Sequence, residues 1–113
     1  MRVELDIFSG RANPEWELDP AAALALEDIH GRLLPARRRP PDLPGLGYRG
    51  FRYSLGGADW RALEGLVAAA SRVLADPSRS IERLLASTIP AAHAGLRPRI
   101  EKAIGQSSMP DRP

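Results

Sequence analysis

The sequence contains no cysteine, which excludes disulfides and thiolate chemistry. It has almost no lysine: fifteen of its sixteen cations are arginine, and Lys102 is the exception. No apolar run reaches the roughly 18 residues that a membrane-spanning helix needs. The opening residues, MRVELDIF, carry acids and lack the apolar core of a secretory leader, so the cytoplasm is the expected compartment. Catalytic signatures are missing as well. No HExxH, GxSxG, P-loop or GxGxxG pattern occurs. Ser9 has no histidine near it in sequence to act as a base. His93 lies in a small-residue stretch without a metal-ligand partner at helical or hairpin spacing, and His30, near the end of a helix, reads as a solvent-facing or helix-dipole residue. No cofactor is expected.

What is present is a chain of 113 residues, enough for one domain with a real core. Net charge is only +2, but it is unevenly placed. Residues 1–28 hold seven acids and two arginines, and residues 29–61 hold seven arginines and two acids. The simplest meaning is that the two segments meet in the fold.

The most patterned stretch runs from Leu5 to Asp19. Val3, Leu5 and Ile7 alternate with Arg2, Glu4 and Asp6, and Trp16 and Leu18 alternate with Glu15, Glu17 and Asp19. Period-2 alternation predicts two strands with one buried face. Gly10, Asn13 and Pro14 make the connection a turn. Pairing Ile7 with Trp16 and Leu5 with Leu18 puts every large apolar residue except Phe8 on one face. The same register sets Asp6 against Glu17 and Glu4 against Asp19. Opposed like charges destabilise a strand pair, so this acidic face calls for arginines, a cation or a basic partner.

Asp19-Pro20 is a helix start, with an N-cap acid and a proline at the first position, and the helix should run to about Leu34. Residues 35–47 carry four prolines and two glycines and read as a long loop exposing Arg37, Arg38 and Arg39. Tyr48 to Leu55 predicts a third strand, with Phe51, Tyr53 and Leu55 on one face. Arg52 on the other face, and Arg49 near a bend at Gly50, would supply counter-charge to the acids. Leu63, Val67, Ala70 and Leu74 repeat at helical spacing, which predicts a helix over about Trp60 to Ala75. Asp76-Pro77 opens another to about Thr88, with Ile81, Leu84 and Leu85 inward and Arg79, Glu82 and Arg83 outward. Residues 91–96 read as flexible, Arg99 to Ile104 as a short helix, and 106–113 as a disordered tail.

Three pieces, LDIFSGRANPEW, LGYRGFRYSL and LADPSRSIERLL, resemble a family of small bacterial proteins with an LDIFSGR-x-NP-x-W opening, a GYRGF segment and a DP-x-R-x-x-E ending. The similarity covers most of residues 3–86; where relatives often have proline before the asparagine, this chain has Ala12. The resemblance implies that the three segments belong to one domain, and it imports no activity.

The expected fold is α+β: a small antiparallel sheet of about three strands, the N-terminal hairpin plus strand 48–55, packed on about three helices in a single domain over residues 1–105. The expected function is that of a small non-enzymatic binding or accessory protein, acting on a protein or peptide through a sheet edge or the hairpin loop. Its candidate contact residues are Arg11, Asn13, Arg37, Arg38, Arg39 and Arg49. A homodimer is compatible with a free edge. Two other classes fit the residues: a metal-dependent or hydrolytic enzyme using the acidic hairpin face, and a nucleic-acid contact through the arginine-rich loop.

Overall fold

Trp16 stands opposite Val3, not Ile7, and this sets the geometry of the N-terminal hairpin. The computed structural model describes residues 1–8, 10–40, 42–45 and 47–105. Strand β1 (Arg2–Leu5) pairs antiparallel with β2 (Glu15–Glu17). The expected register is thus shifted by four residues. An even shift keeps every side chain on its face, so the apolar and charged sides come out as the alternation requires. The shift has a local cause. The Asn13 carboxamide oxygen accepts the backbone N–H groups of Ile7 and Phe8 at 3.0 and 2.8 Å, and so takes the place of a strand partner beyond Leu5.

The sheet has seven antiparallel strands, which corrects the expected three. The others are β3 (Leu34–Pro35), β4 (Phe51–Leu55), β5 (Ala58–Leu63), β6 (Leu66–Ala68) and β7 (Val73–Ala75), in the spatial order β2-β1-β4-β5-β6-β7-β3. The helix expected over Trp60 to Ala75 does not form; that stretch is β5, β6 and β7. Two tight turns decide it. Gly56-Gly57 and Glu64-Gly65 each join adjacent strands with positive φ at both central residues, +63° and +80°, then +53° and +80°. That is the backbone a two-residue hairpin demands. Trp60 and Ala62 then point inward from β5 while Asp59 and Arg61 point to the other face. Proline and glycine do not keep the 35–47 segment wholly irregular either, since Leu34 and Pro35 pair with Ala75 and Leu74.

Helix α1 (Pro20–Arg32) opens as expected, with the Asp19 carboxylate accepting Ala22 N–H at 2.8 Å. It ends two residues short of Leu34, because Leu33 turns extended and leads into β3. α1 therefore links the two outermost strands, crossing six inter-strand steps of about 4.8 Å each. Helix α2 (Ser80–Ser87) begins later than Asp76-Pro77. Asp76 still caps it, at one remove: its carboxylate accepts Ile81 N–H at 2.9 Å across a turn closed by Arg79, whose φ is +56°. Residues 91–96 are a 3₁₀ helix, not a flexible segment, and lead into α3 (Arg97–Gly105). The tail expected to be disordered, 106–113, lies outside the described residues.

One face of the sheet packs on the helices. Leu5, Phe51, Leu26, Ile81 and Leu85 are completely enclosed there. Trp60, Ile89, Ile100 and Ile104 join them, while Ile29, Leu33 and Leu84 are only half-buried at the margin. Trp16 lies edge-on to Phe51 at 6.4 Å and donates its indole N–H to Thr88 Oγ1 at 3.0 Å. No helix among the described residues is long and apolar enough to cross a membrane.

Candidate functional site

The charged face of the sheet is the first place to look for chemistry, and arginines occupy it. Arg52 reaches Glu4 at 3.2 Å and Arg49 reaches Asp6 at 2.9 Å, the counter-charges that the alternation called for. A third cation is Arg61, which donates to Asp6 at 2.6 Å. Asn13 adds its amide N–H groups to Glu4 and Asp6, at 2.8 and 3.2 Å. Asp6 does not face Glu17. It lies past the end of β2, where Asp6 N–H bonds Gly50 O and Arg49 N–H bonds Asp6 O. Two residues opposite one make a β-bulge, which turns the Arg49 side chain onto the acid. Gly50 is required at that position: its φ is +94°, and a Cβ there would sit 2.4 Å from Ala62 O. Burial alone would raise the Asp6 pKa, but the hydrogen bond and charge of Arg61, with those of Arg49, hold it below the ordinary 3.8. Among the described residues, no group of three His, Asp or Glu side chains is placed to hold a metal ion.

A second polar cluster lies inside the fold. Glu82 and Arg79, expected to face water, are buried, at 1% and 4% exposure. Arg79 donates to both Glu82 oxygens at 2.9 and 2.7 Å, Tyr48 donates its hydroxyl at 2.6 Å, and Gly65 N–H donates at 3.1 Å. Every lone pair of the carboxylate that points inward thus meets a donor, which is what a buried charge needs. Burial foremost, and the neighbouring Glu82 charge next, push the Tyr48 hydroxyl far above its usual value, so it stays protonated. Distant stretches of the chain meet at these clusters: Asp6 with Arg49 at the first, and Tyr48 with Glu82 at the second.

The candidate contact residues fare differently. Asn13 and Arg49 are partly buried and committed to the hairpin and to Asp6. Arg11 is exposed and lies over the Phe8 ring, 3.8 Å from its centroid. Arg37, Arg38 and Arg39 are exposed; Arg38 donates to Glu64 O at 3.3 Å. His30 does not simply face solvent. It is half-buried, shares a 2.9 Å hydrogen bond with Tyr53 and packs edge-on against Trp60. Desolvation first, and then the Arg72 charge, lower its pKa from 6.5.

The two edges of the sheet are the other place where unmet groups collect, and they differ. On β3, Ala36 N–H bonds Val73 O, so the Leu34 and Ala36 backbones face β7 and Pro35 faces outward. Proline has no N–H to offer, and a proline at this position seals the edge. On β2, Leu5 N–H bonds Pro14 O and Leu18 N–H bonds Met1 O, which leaves Trp16 turned toward β1. The N–H and C=O groups of Glu15 and Glu17 therefore point outward, and no strand among the described residues lies beyond them. Beside this edge, on the helix side, is a groove of about 600 Å³ lined by Trp16, Leu18, Ala22, Ala25, Leu84 and Thr88. Sequence reasoning nominated a sheet edge without saying which. Pro35 was the available signal, but only a strand assignment at Leu34–Pro35 gives it meaning. The groove joins β2 to the N-terminal turns of α1 and the C-terminal end of α2, and no local pattern encodes it. Comparison with family models, with curated proteins and with solved structures finds no match.

Proposed function

We propose that this is a non-enzymatic binding protein that takes up an extended segment of a partner protein along the outer edge of β2. The observation that carries the reading is the inequality of the two edges. One is closed by Pro35, and the other offers the outward N–H and C=O groups of Glu15 and Glu17. An added strand gains its affinity from such main-chain hydrogen bonds. The enzyme alternative loses support at Glu4 and Asp6, the inner acids of the hairpin face, because Arg49, Arg52 and Arg61 bind them. A nucleic-acid contact is left with Arg37, Arg38 and Arg39, since Arg49 and Arg52 are engaged with acids.

The test is panning a random peptide library on the full chain, followed by amide hydrogen exchange with each selected peptide. Slowed exchange at Glu15 and Glu17 is the expected result. Enrichment of no peptide, or peptides that leave those two amides unprotected, overturns the reading.

A further inference from the structure

We infer that the strand received at β2 carries a basic-apolar-basic core, two lysine or arginine residues flanking one aliphatic residue; this rests on the edge-binding reading above. The parity of the sheet fixes the order. Residues paired directly across two strands point to the same face. The incoming residue opposite Trp16 therefore points to the helix side, and its neighbours, opposite Glu15 and Glu17, point to the charged side. On the helix side that residue meets the groove. Ala21, Ala22 and Ala25 of α1 leave room there, and Trp16 and Leu84 offer apolar surface.

Charge on the other side is read along the rows of the sheet. One row runs Arg61, Arg52, Glu4, Glu15; the next, with the β1–β4 register carried one step past Val3 and Tyr53, runs Asp59, Ser54, Arg2, Glu17. Both rows end at the free edge on a carboxylate. Arg2 bonds Glu15 and the Met1 ammonium bonds Glu17, each from the β1 side, and both carboxylates keep an exposed outer side. The groove lining repeats the sign: it contains Glu17 and Asp19 and no lysine or arginine. A cation on the next strand would continue each row with an opposite charge. A second copy of the chain is disfavoured by the same argument, because β2 laid antiparallel on β2 sets glutamates against glutamates.

Three capped nonapeptides, centred on Lys-Val-Lys, Glu-Val-Glu and Lys-Ser-Lys, test this against the full chain by titration calorimetry and amide chemical-shift mapping. Lys-Val-Lys should bind about tenfold more tightly than either other peptide, with shifts at Glu15 and Glu17. The surface variant Glu15→Lys/Glu17→Lys should reverse the preference between Lys-Val-Lys and Glu-Val-Glu. Ala21→Trp, at an exposed position on the groove wall, should weaken Lys-Val-Lys and leave Lys-Ser-Lys unchanged. Binding at the β2 edge with equal affinity for all three peptides overturns this inference and leaves edge binding standing. Absence of binding by any of them, with library peptides still protecting the edge, does the same. A chain that elutes as a dimer with Glu15 and Glu17 protected overturns it in favour of a second copy.

Discussion

Arg61 on β5 donates to the Asp6 carboxylate at 2.6 Å although β4 lies between their strands, and the same guanidinium donates to Arg49 O at 2.7 Å. One side chain thus braces the bulge, the end of β1 and β5 together. Asp6→Asn keeps the shape and removes the charge that two partly buried arginines share. It should cost about 2 kcal/mol at neutral pH, read by urea unfolding. The pH dependence has a definite sign. The folded-state pKa of Asp6 lies below 3.8, so its contribution is complete above 3.8 and is lost as pH falls through the folded value. The gap between wild type and Asp6→Asn should therefore close below pH 3.8.

Gly50→Ala should be among the most damaging single substitutions in the chain. It combines a φ of +94° with a backbone oxygen 2.4 Å from the new Cβ. Strain and displacement of β5 together should cost about 3 kcal/mol or more. Gly56→Ala is the matched comparison: its φ is +63° but its Cβ meets open space, so about 1 kcal/mol is expected. Thermal unfolding of the two variants measures the difference.

Glu82→Gln leaves Arg79 buried without a countercharge and should destabilise by about 3–5 kcal/mol. The double variant Arg79→Met/Glu82→Leu removes both charges and should recover much of that loss, although Tyr48 and Gly65 N–H each lose an acceptor. A double-mutant cycle built from urea unfolding of wild type, Arg79→Met, Glu82→Leu and the double variant gives the coupling.

His30 supplies a milder acid sensitivity of its own. Its folded-state pKa is lowered from 6.5, so stability is complete above 6.5 and declines as pH falls from there toward the folded value, because the unfolded chain takes up the proton first. His30→Gln keeps a hydrogen-bonding group for Tyr53 and cannot take up that proton. Comparing Tm about one unit above and one unit below pH 6.5 should show a drop in wild type that is smaller in the variant.

The hairpin faces, the Asp19 cap and the pairing of arginines with the acidic face were legible, because each depends on alternation or on a few adjacent residues. The middle of the chain misled for a physical reason. Leu63, Val67, Ala70 and Leu74 satisfy a helical period and short strands at once, and the deciding feature is Glu64 at φ +53°, a conformation glutamate seldom adopts. Gly65 in the centre of the supposed helix was the warning. The buried Arg79–Glu82 pair was hidden because charges three apart on a helix usually face water; only the approach of Tyr48 and Gly65 encloses them. Which edge stays open depends on Pro35 falling where the backbone turns outward from β7, and pairing across about forty residues determines that.

Because α1 ties β2 to β3, the two margins of the sheet are neighbours in the chain. Most open sheets can fray from either end independently. Here, peeling away one margin pulls on the helix that anchors the other, and α1 also packs on α2 across the core. Loss of either border strand should therefore propagate as a single cooperative event.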